Sequence, residues 1–267
     1  MSEKRPWAVY TMVREEHFFL PKWYEYYSRH VADCDMYIIH HQTSTPDDCT
    51  DFLKEKEVNI IPEYWEHFSS TWMNATTKKH QQELLNKYHA VIYTDVDEIL
   101  FTDPRYFASL GTFMRAFLVN PNLKSVRVQG WSIYHQPDTE PDFDPKKPIV
   151  EQRGTWYRHS IYDKPLISKI PLEWTRGFHE APGMGPKTDK VLMLHLHQYD
   201  FKRYIARHTR WATDYKPDQL DVSKNYHQHY RKRGEELERQ YFRYVGSDYI
   251  IKGGAPIPDW VKSQVGI

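Results

Sequence analysis

Asp95, Asp97 and Glu98 put three carboxylates into four consecutive positions, directly after the apolar run Ala90–Tyr93. Unscreened, the three would repel one another, so the segment calls for a counter-charge. An Asp-x-Asp at the end of a strand offers short, rigidly placed oxygen ligands, and Mg²⁺ or Mn²⁺ commonly bridges such carboxylates to a substrate phosphate. A solvated acidic turn or a helix N-cap would also use Asp, but the strand before the motif and its third carboxylate argue for a metal clamp. Further along, His195 and His197 stand two apart in the apolar stretch VLMLHLH, and on a strand both point to one face. Neutral imidazole beside carboxylate suits Mn²⁺. We therefore expect Asp97 as the direct ligand, Asp95 at the metal or near it, and His197, with His195 as the alternative, completing the set.

These residues need a scaffold. WAVYTMV (7–13), MYIIH (36–40), VNIIPEYW (58–65) and AVIY (90–93) are short apolar runs of strand type. Helical spacing fills the intervals: Phe19, Trp23, Tyr26 and Tyr27 in 17–31, a short helix over 51–57, and Leu84, Leu85 and Tyr88 in 75–89. Such alternation predicts an α/β fold, a mainly parallel sheet flanked by helices. Ligands in these sheets sit outside the carboxyl ends of the strands, which is where Asp95–Glu98 falls. Beyond residue 105 the pattern predicts a helix over 105–119, a strand pair in 124–134 and a loop at 135–148, which holds four prolines. Further strands are expected at PLISKI (165–170) and 191–197, with the Gly- and Pro-containing segment 174–186 between them. Residues 201–245 carry 11 Lys and Arg against 6 Asp and Glu, and read as a polar, helical stretch.

DVDEILFTDP (95–104) resembles the aspartate-rich metal motif of nucleotide-sugar glycosyltransferases of the GT-A fold, in particular a family 2-like group whose motif reads DvDEf. The opening of the chain is similar to that group's as well. Arg14–Glu16 stands at its charged K-N-E, Lys22–Trp23 at its E-W, and Ser44, Asp47, Asp48 and Thr50 in its D-N-x-S-x-D-x-T loop. QQELLNKYHAVIYTDVDE matches its Gln-bearing helix, and KIPLEWTRGFHEAP (169–182) its K-x-x-P…G-x-H segment. His40–His41 departs from the pattern where the group often has an Asp that holds the nucleobase, and Ile99 replaces a Phe. The likeness covers 7–104 and, more loosely, 165–207.

The resemblance implies a Rossmann-like catalytic domain over 1–200, its donor half at about 1–104 and its acceptor half at about 105–200. A helical extension over 201–267 would pack on it. It implies a hexosyltransferase-like enzyme that moves a sugar from a UDP- or GDP-linked donor to a glycan or other hydroxyl acceptor, with Mn²⁺ or Mg²⁺ as cofactor. Thr11, Arg14, Ser44, Gln81, Asp95 and Lys169 are then expected around the donor, and Arg14, Lys169, Arg203 and Arg207 are candidate partners of the diphosphate. Trp174 is implied as a platform for a sugar ring, Glu180 as the base for an inverting transfer, and His179 as a phosphate ligand or a support for Glu180. Two alternatives remain. A phosphatase of the haloacid dehalogenase type also follows an apolar strand with Asp-x-Asp, and would use Asp95 as nucleophile; it usually carries the motif near the N-terminus. A catalytically silent nucleotide-sugar-binding module would keep the donor half alone.

Bulk properties narrow the field. The 36 basic and 36 acidic residues cancel, so no overall field favours nucleic acid. Aromatic residues make up 15% of the chain, with 20 Tyr and 9 Trp, side chains that join an apolar face to a polar tip. Two cysteines, Cys34 and Cys49, are no disulfide framework, the opening MSEKRPWAVY has no signal-peptide core, and no apolar run approaches the roughly 18 residues of a membrane span. The expectation is a cytoplasmic protein without a transmembrane segment.

Overall fold

The computed structural model of the chain describes residues 3–214, 231–245 and 253–267. Its strands are β1 (Arg5–Val13), β2 (Met36–Gln42), β3 (Asn59–Tyr64), β4 (Tyr88–Tyr93), β5 (Glu98–Thr102), β6 (Ser125–Tyr134), β7 (Thr155–Arg158), β8 (Ile167–Ser168), β9 (Lys187–Gln198) and β10 (Gly254–Pro256). Among the described residues seven α-helices accompany them: α1 (Phe19–Tyr27), α2 (Ser70–Lys87), α3 (Leu110–Val119), α4 (Ile149–Gln152), α5 (Phe201–Asp214), α6 (Gly234–Val245) and α7 (Asp259–Val265). The expected α/β class holds.

The ten strands form one sheet with two characters. β3, β2, β1 and β4 run parallel in that order, the Rossmann-like half that the alternating pattern foretells. From β4 the order continues through β8, β6, β7 and β10, each pairing antiparallel with its neighbour, while β9 pairs parallel with β6 and antiparallel with β5. The helix expected over 105–119 starts only at Leu110, where Ser109 caps it by accepting from Thr112 N at 3.2 Å. The strand pair expected in 124–134 is the single strand β6, and the helix expected at 51–57 shrinks to one 3₁₀ turn. Part of the helical stretch read over 201–245 lies outside the described residues; α5 and α6 are its described ends.

The 253–267 segment is more than a helical extension. β10 extends the sheet edge on β7, and Gln264 of α7 donates to Thr102 O at 3.0 Å and accepts from Thr102 N at 3.4 Å. The chain's end is thereby tied to the strand that follows the acidic motif. Among the described residues no helix is long and apolar enough to cross a membrane.

The core explains much of the aromatic surplus. Trp23, Tyr26 and Tyr27 of α1 are fully buried, yet each carries a polar group that burial would penalise if left unmade. Trp23 Nε1 donates to Thr94 Oγ1 at 2.8 Å, Tyr26 OH to Leu100 O at 2.6 Å and Tyr27 OH to Glu98 O at 3.3 Å. One helix face thus grips both flanks of Asp95–Glu98 by its backbone and neighbouring side chain. These rings hold the motif rather than meet a ligand.

Candidate active site

β4 is buried on both faces from Ala90 to its end at Tyr93, so the chain emerges at the sheet's carboxyl edge carrying Asp95 and Asp97. β5 then turns back antiparallel to β9, and its register sets Glu98 opposite His195. Leu196 N donates to Asp97 O at 2.8 Å, which pins the two-residue His spacing against the motif. The rings of His195 and His197 lie parallel, with an interplanar angle of 2° and centroids 5.5 Å apart. Asp97, His195 and His197 bring one ligand atom each to within 4.8 Å of one another.

Around them opens a cavity of about 560 Å³. The end of β1 contributes Arg14, Glu15 and Glu16, the end of β2 contributes His41 and Thr43, and α5 closes one side with Arg207, His208 and Trp211. Glu15 adopts a left-handed backbone, φ 54°, unusual for a residue with a Cβ. Its N–H donates to Asp47 Oδ2 at 2.7 Å. Asp47 also contacts His40 Nε2 at 3.0 Å and accepts from Cys49 N at 2.9 Å, so this buried carboxylate fixes the loop that presents Arg14 and Glu16. Burial alone would raise its pKa, but those hydrogen bonds hold it well below the carboxylate range.

The repulsion inside the acidic motif is relieved by two buried cations. Lys164, in the loop before β8, ion-pairs with Glu98 and lies 3.4 Å from Asp95 Oδ2. Burial by itself would lower the Lys164 pKa; Glu98 and Asp95 raise it instead. Arg207 reaches in from α5, with Nη1 2.6 Å from Asp97 Oδ2 and Nε 3.0 Å from Glu16 Oε1. Against a burial penalty, Arg207 and then His197 hold Asp97 ionised well below the usual range.

Burial lowers both His195 and His197, the neutral state that a ligand requires. His195 Nδ1 is buried and has no hydrogen-bond partner among the described residues. Asp97 Oδ2 and Arg207 Nη1 each lie 3.2 Å from His197 Nδ1, and His208 Nε2 lies 2.8 Å from its Nε2. One carboxylate and two neutral imidazoles, one with an unused nitrogen, fit a divalent cation such as Mn²⁺. Arg207 is the charge that such an ion would meet at Asp97.

Arg14, Asp95, Asp97, His179, His195, His197 and Arg207, all expected from the sequence as site residues, line this cavity. The other expected residues do not. Glu180 is exposed and outside the lining; among the described residues its backbone carbonyl is engaged, accepting from Thr175 N at 2.7 Å and from Thr175 Oγ1 at 3.2 Å. Trp174 is 3% exposed, packs on Tyr93 and Phe178, and donates Nε1 to Pro165 O at 2.9 Å, so no sugar ring can stack on it. Lys169 Nζ caps Leu118 O and Asn120 O at 3.1 and 2.8 Å at the end of α3. Gln81 Oε1 accepts from Leu172 N at 2.6 Å, a brace for the segment before Trp174. Thr11 is fully buried within β1, and Ser44 turns outward to Glu66, 2.5 Å from Oγ to Oε1. Arg203 lies over Phe18 and Phe143 instead of the cavity.

Lys164 and His208 were missed, and Glu16 was placed only within the charged segment that follows the first strand. A signal for Lys164 existed: three clustered carboxylates demand a cation, and this lysine directly precedes the apolar run PLISKI.

Comparison with protein-family models gives no match, and comparison with curated proteins gives none either. Among solved structures, S. aureus TarS is similar at 9% identity and a TM-score of 0.34, over 58% of this chain and 28% of that one. A structure of S. aureus TarS 1–349 is similar at 11% identity and a TM-score of 0.41, over 91% of this chain and 74% of that one. The chain thus spans little more than a quarter of the first of these. Likeness at this level carries no functional argument, which falls to the site's own geometry.

Proposed function

We propose that the protein is a metal-dependent glycosyltransferase that moves a sugar from a nucleoside diphosphate to a hydroxyl acceptor. The observation that carries this is the meeting of Asp97, His195 and His197 at the carboxyl ends of β4 and β9, on the wall of a cavity large enough for a nucleotide-sugar. Asp97, His195 and His197 would hold a divalent ion. Bound there, Mn²⁺ or Mg²⁺ would neutralise charge on the departing diphosphate. Arg14 and Arg207, both in the lining, add fixed positive charge for the same oxygens. Asp95 takes Tyr93 OH at 2.8 Å and Lys164 on its other oxygen, which leaves it oriented beside the metal set rather than central to it.

Heating the chain with Mn²⁺ and each of UDP and GDP tests the reading. A ligand that binds only the folded state raises Tm by mass action, and one nucleotide should do so strongly only with metal present. A chain that melts unchanged with every nucleotide, with and without metal, contradicts it.

One observation favours a second reading. Lys164 beside Asp95 is also what a phosphatase with an Asp95 nucleophile would want. That enzyme would hydrolyse p-nitrophenyl phosphate with Mg²⁺ and lose the activity in Asp95→Asn; a glycosyltransferase would not hydrolyse it.

A further inference from the structure

Residues 176–178 form a turn against the cavity that the proposed function leaves without a task. Gly177 has φ 74° and Phe178 φ 60°, two consecutive left-handed residues, and Phe178 is fully buried although its side chain disfavours that conformation. Strain of this kind persists only where the surroundings enforce it, here through packing of Phe178 on Tyr93 and Trp174. The product of the turn is the placement of His179. A Cβ on Gly177 would stand 2.8 Å from His179 Cδ2 and 2.9 Å from Nε2, so the imidazole lies directly over a glycine that only glycine can be.

The ring's protonation is settled by its partner. His179 Nδ1 lies 2.7 Å from Ile161 O, and a carbonyl only accepts, so Nδ1 carries the hydrogen. Nε2 then presents a lone pair, and it has no hydrogen-bond partner among the described residues. Burial, followed by the charge of Lys164, lowers the group to about 4, so the ring is neutral at physiological pH and basic to about the same degree as a carboxylate. The residue is half-buried, lines the cavity, and shares that wall with Tyr162, whose ring centre is 5.9 Å away.

We propose that His179, through Nε2, is the catalytic base that takes the proton of the acceptor hydroxyl. The inference rests on the glycosyltransferase reading and adds to it an inverting outcome. In the step, the acceptor oxygen forms a bond to the anomeric carbon while the bond from that carbon to the diphosphate oxygen breaks and its electron pair leaves with the diphosphate. The hydroxyl proton passes to Nε2, giving an imidazolium that Ile161 O continues to hold through Nδ1. Glu180, exposed and outside the lining, has no part in it.

The test uses the full chain with Mn²⁺ and a panel of UDP- and GDP-sugars, with water standing in for the acceptor and release of nucleoside diphosphate as the readout. For the sugar that the unchanged protein turns over, His179→Ala should lower the rate by about 100-fold or more. The thermal shift with Mn²⁺ and the nucleotide should be unchanged, which shows that the variant folds and binds. Added imidazole should restore part of the rate to His179→Ala and none to the bulkier His179→Gln, a rescue that a purely structural role would not give. Glu180→Gln should match the unchanged protein, and the freed sugar should appear first with inverted anomeric configuration. A His179→Ala rate within about threefold of the unchanged protein, loss of rate in Glu180→Gln instead, or retained configuration would each overturn the inference while leaving the glycosyltransferase reading in place. If no nucleotide-sugar is turned over and no nucleotide shifts melting, that reading falls and the inference with it.

Discussion

Two buried cations neutralise the acidic motif, and they are built differently. Lys164 is anchored next to the sheet, in the loop that feeds β8, with Glu98 fully buried against it and Asp95 at its edge. Arg207 comes from α5, far along the chain, and spans Asp97 and Glu16 across the cavity, with Arg210 reinforcing it 3.4 Å from Glu16. The first pair belongs to the scaffold, since neither Lys164 nor Glu98 can leave without stranding the other in the core. The second lines the cavity, between the end of β1, the end of β4 and the helix that follows β9. The lesson is one of division: Glu98 meets its cation inside the fold, and Asp97 meets its cation on the wall of the cavity.

The comparison can be broken at either pair. Lys164→Met should be the most damaging change, removing about 3–5 kcal/mol because Glu98, whose pKa burial already raises, loses its cation and must take up a proton in the core. Urea denaturation reads this, and Lys164→Met combined with Glu98→Gln should recover most of the loss. A single variant costing under about 1 kcal/mol would show that the pair is not structural.

Asp47→Ala comes next, at about 2–3 kcal/mol, because it orphans Glu15 N, Cys49 N and His40 at once. It should also weaken nucleotide binding, as Glu15 loses the contact that holds its left-handed backbone beside Arg14; a variant that is destabilised but binds normally would separate the loop from the site.

Arg207→Gln should cost less, about 1–2 kcal/mol, and should tighten Mn²⁺ binding about tenfold by removing a positive charge from Asp97. It should also alter acid stability. The Asp97 pKa is depressed in the fold, so its ionisation contributes stability above its unfolded value, near 4, which is lost as pH falls toward the folded value. With Arg207 gone the depression shrinks, so the decline in stability below pH 4 should be shallower than in the unchanged protein. Equal slopes in acid titrations monitored by fluorescence would place the depression elsewhere. At the small end, Lys202→Ala breaks a pair with Asp142 on the open surface and should change stability by under about 0.5 kcal/mol in the same denaturation series.

The parallel half of the fold is legible because buried strands announce themselves as apolar runs and helices lie between them at regular spacing. Asp95 and Asp97 are legible for the same reason, since a strand must end where its charges begin, and His195 and His197 follow from the two-residue period of a strand. Residues 165–186 are the opposite case. They have no period, so nothing in the order of residues tells whether Trp174 faces a sugar or a core, or which of His179 and Glu180 turns inward; those directions come from the left-handed turn at Gly177 and Phe178. The antiparallel return of β5 and the closure by β10 were equally hidden, because each is a short strand whose place depends on partners distant in sequence. Lys169 and Gln81 were read as ligand groups since a buried cap and a loop brace use the same side chains as a binding site.

The central claim is that Asp97 anchors a metal and nucleotide together, and calorimetric titration of Mn²⁺ with UDP or GDP into the unchanged protein and Asp97→Asn tests it most directly. Metal and one nucleotide should bind the unchanged chain cooperatively, each tightening the other, and the variant should lose that coupling while still folding. Equal coupled binding by both proteins, or none by the unchanged chain, would contradict the account.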